Sequence, residues 1–248
     1  MNRFSLLIIL FSFLIITSCG DLGSSTANSS GKTAEMIVVT NNQAKWESRV
    51  GDSIRQFFNQ EFEVLPQSEP LFEMTHIPMA TFTDNAMFQS HPNIFIIDID
   101  NNMNKARLDL RKDEWASPQT VIHLGAPSEE ELIAFFKESK KSILGLFMKS
   151  ERERLINTFQ KFKDVEVIEE LKKNYQLTLE LPGGFYIAKK SADFIWIRKE
   201  TPKISQGILI YSYDFIDTVA FDVSRIIAFR NSMTEEYIPG PTEGSFMI

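Results

Sequence analysis

The chain has 248 residues, of which 26 are basic and 33 acidic, for a formal net charge of −7. This balance argues against nucleic acid as a partner, because binding to phosphates needs surfaces rich in Lys and Arg. It also argues against a polybasic face that docks on anionic lipid. The single cysteine, Cys19, excludes a disulfide, and the rest of the chain has no thiol for catalysis or metal binding. We expect no cofactor.

The first nineteen residues have the pattern of a bacterial lipoprotein export signal. A basic head (1–3) precedes an apolar stretch (4–16) that is shorter than the ~20 residues needed to span a bilayer. Ile16, Thr17, Ser18 and Cys19 then match the lipobox, in which an aliphatic residue and two small residues precede a cysteine. The pattern predicts diacylglyceryl transfer to Cys19 and cleavage between Ser18 and Cys19. Three acyl chains, palmitate among them, would anchor the protein permanently, since each buried CH₂ contributes ~0.8 kcal/mol.

Four segments are predicted from this pattern. Residues 1–18 form the signal peptide, and 19–33 form the lipidated cysteine with a flexible Gly/Ser-type linker. Residues 34–165 form an α/β sub-domain, and 166–248 form a second, α+β sub-domain. We expect the protein in the cell envelope, anchored in the outer membrane through Cys19 and facing the periplasm. The choice between inner and outer membrane stays open.

Strands of the first sub-domain are predicted from apolar runs. Continuous β-branched and aromatic stretches predict buried strands at Glu35–Thr40, Asn93–Ile99 and 120–124. A further strand is predicted over 72–82, and Pro78 places it at a sheet edge or a bulge. Together with intervening helices, these strands predict a mixed sheet covered by helices.

Helices of the first sub-domain are predicted from apolar residues at helical spacing. One amphipathic helix is predicted over 46–58, and a short charged helix over 104–115. The clearest start is Ser128, since Glu131 three residues later completes a capping box. From there one long helix is predicted to reach Phe162.

The second sub-domain is predicted to be smaller and richer in strands. Antiparallel strands are predicted over 175–181, 185–189, 193–199 and 207–215, followed by an amphipathic helix over 219–230. The fold class is therefore α+β: an α/β sandwich, then an antiparallel sheet with a helix. Because the chain stops in a loop just after a helix, we expect that its natural C-terminal portion is missing and this sub-domain incomplete.

Several motifs along the chain carry a resemblance to a known family. They are the lipobox, EMIVVT (35–40), WESRVGDSI (46–54), LPQSEPLF (65–72), NIFII (93–97), LPGGF (181–185) and YIPGPTEGS (237–245). As a set, they resemble an uncharacterised lipoprotein family of the Bacteroidetes, catalogued as a domain of unknown function. The resemblance implies a chain that continues beyond residue 248. It implies no catalytic or binding residue.

One segment imitates the oxygen spacing of an EF-hand calcium loop. Asp98, Asp100, Asn102 and Asn104 alternate, and Asp109 stands at the twelfth position. However, the loop lacks the glycine at its sixth position and the bidentate Glu at its end. The alternative is a strand end at which Asp and Asn cap a turn, and this alternative is favoured.

The other candidate residues are weaker. His76, His91 and His123 are the only histidines, and none has the spacing of a zinc pair, so core positions are favoured. Glu69 lies between two prolines, and is the first acid to consider for catalysis, although a solvated loop residue is favoured. Trp196 and Tyr211 would form a platform for carbohydrate or peptide if they shared an exposed face, but core positions are favoured.

Function is therefore predicted from location more than from chemistry. We expect a lipid-anchored, non-enzymatic binding or assembly module with an envelope protein or glycan as its partner. The alternative is an envelope hydrolase that acts on glycan or peptide. A cleft with perturbed carboxylates or a histidine pair would favour the hydrolase, and an exposed apolar surface would favour the binding module.

Overall fold

The computed structural model describes residues 26–61, 68–202, 204–215 and 217–247. Cys19, Ser18 and the signal peptide lie outside the described residues. The chain divides into two compact units, unit 1 up to Arg152 and unit 2 from Glu153, and each is described by itself. Within the described ranges, no helix is both long enough and apolar enough to cross a membrane.

Unit 1 is built on a five-stranded mixed sheet. The described strands of unit 1, including the separate pair β1 and β6, are β1 (Ala27–Asn28), β2 (Glu35–Thr40), β3 (Glu73–Pro78), β4 (Asn93–Ile99), β5 (Arg107–Lys112), β6 (Ala116–Ser117) and β7 (Thr120–Ala126). The order in the sheet is β3-β2-β4-β7-β5, in which only β5 runs antiparallel to its neighbour. The short β1 and β6 pair separately in parallel. The order reverses beside β2, as in doubly wound sheets.

Helices cover both faces of this sheet. They are α1 (Gln43–Trp46), α2 (Arg49–Phe58), α3 (Met79–Thr83), α4 (Ala86–Gln89) and α5 (Glu129–Lys161), the last of which extends across the boundary of the units. On one face, α2 and the first half of α5 bury their apolar stripes against Phe95, Ile97 and Leu124. On the other face, Phe82 of α3 packs with the alternate strand residues, among them Ile96.

Unit 2 contains a three-stranded antiparallel sheet between two helices. Its elements are α6 (Val165–Tyr175), β8 (Tyr186–Lys190), β9 (Phe194–Glu200), β10 (Ser205–Tyr211), a 3-10 helix (Thr218–Phe221) and α7 (Val223–Tyr237). The strand β9 is central, and β8 and β10 are the two edges. Ile195 and Ile197 face α6, whereas Phe194 and Trp196 face α7.

The predicted fold class is confirmed. A mixed sheet flanked by helices is followed by a separate antiparallel sheet with helices. The predicted strands Glu35–Thr40 and Asn93–Ile99 have the predicted bounds. The strand predicted over 72–82 lies at a sheet edge, as Pro78 predicted, but it ends at Pro78, and its predicted second half is instead the helix α3. Ser128 caps α5, since the amide of Glu131 donates to its Oγ at 3.3 Å.

Two predicted elements are wrong. The charged helix over 104–115 is instead the strand β5, in which Leu108 packs toward the helices while Asp109 points to the opposite face. The strand over 175–181 is wrong because α6 ends at Tyr175, and Gln176 leaves it in the left-handed conformation, with φ of 54°. Helix α6 was not predicted. β9 pairs instead with both β8 and β10.

Candidate functional site

The carboxyl ends of the parallel strands hold the first group of polar side chains. Ligands of open α/β sheets bind at this edge, where the strand order reverses. The Nε2–H of His76 donates to Thr40 Oγ1 at 2.8 Å, because that hydroxyl donates its own proton to the carbonyl of Asn42. The ring of His76 stacks on Trp46 at 4.7 Å, and Arg55 lies 4.4 Å from the same indole. Burial and the Arg55 charge lower the pKa of His76.

A second histidine lies on the opposite face of the sheet. His123 of β7 has its Nε2 4.0 Å from Asp98 Oδ2, at the end of β4. The amide of Asn41 donates to Asp98 Oδ1 at 2.6 Å and fixes that carboxylate. Among the described residues, no group makes a hydrogen bond to His123 Nε2, although the atom is buried. Burial lowers the pKa of His123; Asp98 opposes this effect, and nearby arginines reinforce it.

The segment that imitates a calcium loop forms an ordinary turn after β4. Asp100 accepts hydrogen bonds from the amide N and the side chain Nδ2 of Asn102, at 2.9 and 2.8 Å. Asp98 is held by Asn41, and Asn104 is exposed. Within the described part of the chain, no group of three or more His, Cys, Asp or Glu is placed to hold a metal ion. Calcium binding here stays the disfavoured alternative.

The remaining histidine and the candidate acid lie elsewhere. His91 is buried before the amino end of β4, where its Nδ1 lies 2.9 Å from the carbonyl oxygen and 3.2 Å from the amide nitrogen of Asn93. The three histidines are therefore not brought together. Glu69 is exposed in the loop before β3. Among the described residues, the carboxyl groups with a shifted pKa are those of Glu35, Glu130 and Glu170, and hydrogen bonds lower the pKa of each.

Unit 2 contains a cleft of about 430 Å³ between the end of β10 and α7. Its lining includes Tyr213, Asp214, Asp217, Ala220, Arg225 and Phe229. The hydroxyl of Tyr213 donates to the carbonyl of Ala220 at 3.2 Å, and its ring lies 4.6 Å from that of Phe229. Asp217 caps the 3-10 helix by accepting from the amide of Val219 at 2.9 Å. These contacts hold the walls of the cleft in place.

Exposed apolar residues alternate along the chain with those that line the cleft. We call this set the apolar belt: Phe215, Val219, Phe221, Val223, Ile226 and Ile227. Phe215 is 64% and Phe221 66% exposed, and their rings lie 5.6 Å apart. Contiguous exposed apolar surfaces mark interaction sites, whereas single exposed apolar residues do not.

The charges around the cleft are mostly acidic. Asp214 and Asp217 line it, and Asp222 precedes α7. Arg225 is the cation of the lining, and no carboxylate among the described residues lies within ion-pair distance of it. The cleft therefore combines apolar walls with a charged rim, in which acids outnumber bases.

Trp196 and Tyr211 share one face of the sheet of unit 2, as the platform hypothesis requires. Both are only partly exposed, however, because they pack in the cluster between the sheet and α7. Arg198 lies 4.6 Å from the indole of Trp196. Sequence reasoning predicted an amphipathic helix over 219–230 and did not detect the cleft beside it. The signal was present in Phe215 and Phe221, which add apolar surface beyond one helix face.

Comparison with known families agrees with this division of an α+β chain into two units. The model described as Domain of unknown function (DUF8532) matches residues 29–160, and Domain of unknown function (DUF4837) matches residues 164–248. Since the first match covers more than half of the sequence, the chain belongs to the DUF8532 family. The predicted resemblance to a domain of unknown function is confirmed. No curated protein and no solved structure matched the chain.

Proposed function

We propose that this protein is a lipid-anchored binding or assembly module of the cell envelope, without enzymatic activity of its own. The observation that carries the binding role is the apolar belt beside the cleft of unit 2. The belt exposes two aromatic rings and four aliphatic side chains on one short segment. An exposed apolar surface lowers the solubility of a protein, and a partner that covers it would remove that disadvantage.

The lipid anchor is supported by the sequence from Ile16 to Cys19. Its lipobox follows a basic head and an apolar stretch of signal-peptide length. The predicted linker 19–33 is bonded to unit 1 at its far end, where Ala27 pairs with Ala116 and Ser30 donates to the carbonyl of Ser90. This arrangement would hold unit 1 within a few residues of the acylated cysteine, beside the outer membrane and on its periplasmic side.

Radiolabelled palmitate tests the anchor in a bacterial host that expresses the full chain. We expect label in the wild-type protein and its recovery with membranes. The variant Cys19→Ala should carry no label, because the only thiol has been removed. An unlabelled wild-type protein, found outside the membrane fraction, would show that the anchor is wrong.

The binding role is tested separately from the anchor. Chemical cross-linking in intact cells, followed by purification, should recover a partner with the wild-type chain. The double variant Phe215→Ser with Phe221→Ser should lose that partner, because both residues are exposed and serve no buried contact in the fold. Hydrolysis of a cell-wall glycan or peptide extract by the purified chain would instead establish the rival hydrolase.

A further inference from the structure

We infer that the cleft of unit 2 receives an apolar side chain from another protein, on a segment flanked by Lys or Arg. This inference rests on the proposed binding function and adds the site and the chemistry of the partner.

The shape of the cleft fits an anchoring side chain. Its volume of about 430 Å³ lies in the range of clefts that hold specific ligands. Two rings, Tyr213 and Phe229, and two small residues, Ala220 and Ala228, belong to the lining. The small side chains leave the space that a leucine or an aromatic residue of the partner would fill. Anchors of this type dominate the energy of protein interfaces.

The apolar belt provides the contact area around this anchor. Its members flank the lining residues in sequence, from Phe215 to Ile227, and each is exposed. One side chain in the cleft, with apolar residues around it, gives the arrangement of a buried centre and a surrounding rim that excludes water. A small molecule would fill the cleft but would leave the belt in water.

The charges at the cleft determine which residues the partner can carry beside its anchoring side chain. Two acids, Asp214 and Asp217, line the cleft, against the single cation Arg225 of that lining. Lys or Arg beside the anchor would be attracted to this rim, whereas like charges would be repelled. A second copy of the chain fits poorly, because its net charge is −7. Anionic lipid headgroups fit poorly for the same reason. Arg225 is left to donate to main-chain carbonyl oxygens of the bound segment.

Site-specific photo-cross-linking tests this inference in the full, lipid-anchored chain. The photoreactive amino acid p-benzoyl-phenylalanine replaces Phe221 in the belt, and in a matched control it replaces Tyr186. Tyr186 is an exposed aromatic residue of unit 2 that lies outside the belt, on β8. Mass spectrometry then identifies the segment that is attached.

We expect an adduct from position 221, at least tenfold above position 186, to a segment of a different protein. This segment should carry a leucine or aromatic residue with Lys or Arg beside it. An adduct to a second copy of the chain, an adduct to lipid, or equal yields at both positions would each overturn the inference. The palmitate experiment is unaffected by any of these results, so the anchor is judged independently.

Two variants make the result specific to the cleft. Ala228→Trp fills the cleft and should lower the cross-linking yield at position 221 about tenfold, which corresponds to about 1.4 kcal/mol. Asp214→Lys reverses a charge of the rim and should lower the yield several-fold, whereas Glu243→Lys, an exposed reversal outside the lining, should not. Melting curves check that each variant is folded. Unchanged yields in folded Ala228→Trp protein would show that the cleft is not the site.

Discussion

Helices α2 and α7 both have apolar stripes, yet they differ sharply in what they bury. The ten residues of α2 include five buried ones, among them Ile54 and Phe58. The fifteen residues of α7 include only Met233 and Thr234, while Val223 is 71% exposed. An apolar stripe therefore does not establish that a helix is covered.

The two sheets explain this difference. Strands lie about 4.8 Å apart and a helix with its side chains is about 10 Å wide, so a five-stranded sheet accommodates two helices on one face. The three strands of unit 2 accommodate one helix per face. Phe229 and Tyr237 of α7 fill the available area with Phe194 and Trp196. The apolar residues near the start of α7 then have no sheet left to contact.

The largest expected effect comes from the core of unit 1. Phe58 is fully buried, and its ring contacts those of Phe57, Phe72, Phe95 and Phe136. Phe58→Ala should lower the free energy of unfolding by about 3–5 kcal/mol, because it leaves a cavity that close packing cannot fill. Hydrogen exchange with mass spectrometry, which reports each unit separately, should show faster exchange in unit 1. Equal protection in the variant would mean that this cluster does not carry the stability of unit 1.

The next largest loss in the free energy of unfolding should come from a buried polar contact at the amino end of β4. Asn93 Nδ2 donates to Glu151 Oε1 at 2.5 Å, and both residues are buried. Glu151→Ala removes an acceptor from a buried amide and should cost about 1–3 kcal/mol. Urea denaturation measures the loss. Glu151→Gln keeps an acceptor and should recover part of it; equal losses in both variants would contradict this explanation.

In unit 2, one hydroxyl joins α6 to the turn between β8 and β9. The Tyr175 hydroxyl lies 2.5 Å from the carbonyl oxygen of Ser191 and 3.1 Å from that of Phe194. Tyr175→Phe keeps the ring and should cost about 1 kcal/mol in the free energy of unfolding. Hydrogen exchange should accelerate in unit 2 and remain unchanged in unit 1. Acceleration in unit 1 alone would contradict the assignment.

The pH dependence of unit 1 should follow two of its three histidines, His76 and His123. The pKa values of His76 and His123 are lowered in the folded state, so the unfolded chain takes up protons first as the pH falls. The contribution of the two neutral histidines to the free energy of unfolding is complete above the usual histidine pKa of about 6.5. It is lost as the pH falls below that value. Melting temperatures between pH 7.5 and 5 should therefore decrease less in His123→Gln than in the wild type. The carboxyl groups with a lowered pKa change the free energy of unfolding only at more acidic pH, where they begin to take up protons. Parallel pH profiles would show that His123 is not responsible.

The smallest effect on stability is expected in the belt. Phe221 is 66% exposed, and Phe221→Ser should change the free energy of unfolding by less than about 0.5 kcal/mol. The same aromatic residue type thus separates the two regions: at position 58 it is buried and stabilises the fold, and at position 221 it is exposed, where we propose that it contacts a partner. Denaturation of the two variants side by side measures this contrast. A large loss in Phe221→Ser would place the belt in the core.

Sequence patterns predicted the buried strands well because these strands are covered on both faces. β2 and β4 are continuous apolar runs, which have few alternative structures. The strand β5 was missed because its charged residues, Arg107 and Asp109 among them, hid the alternation around Leu108. The cleft was missed for a different reason: periodicity shows which side of α7 is apolar, but not how much sheet is available to cover it.

The two edges of the sheet in unit 2 are protected to different extents. The strand β8 carries Lys189 and Lys190 and is interrupted by a bulge after Ile187, and such features prevent strands from joining edge to edge. The strand β10 has no charged residue and pairs along its full length with β9 alone. The backbone amides and carbonyls on its outer edge can pair with another extended chain. Concentrated protein is therefore expected to aggregate through this edge. A lysine in place of the exposed Gln206 would supply the charge that β10 lacks.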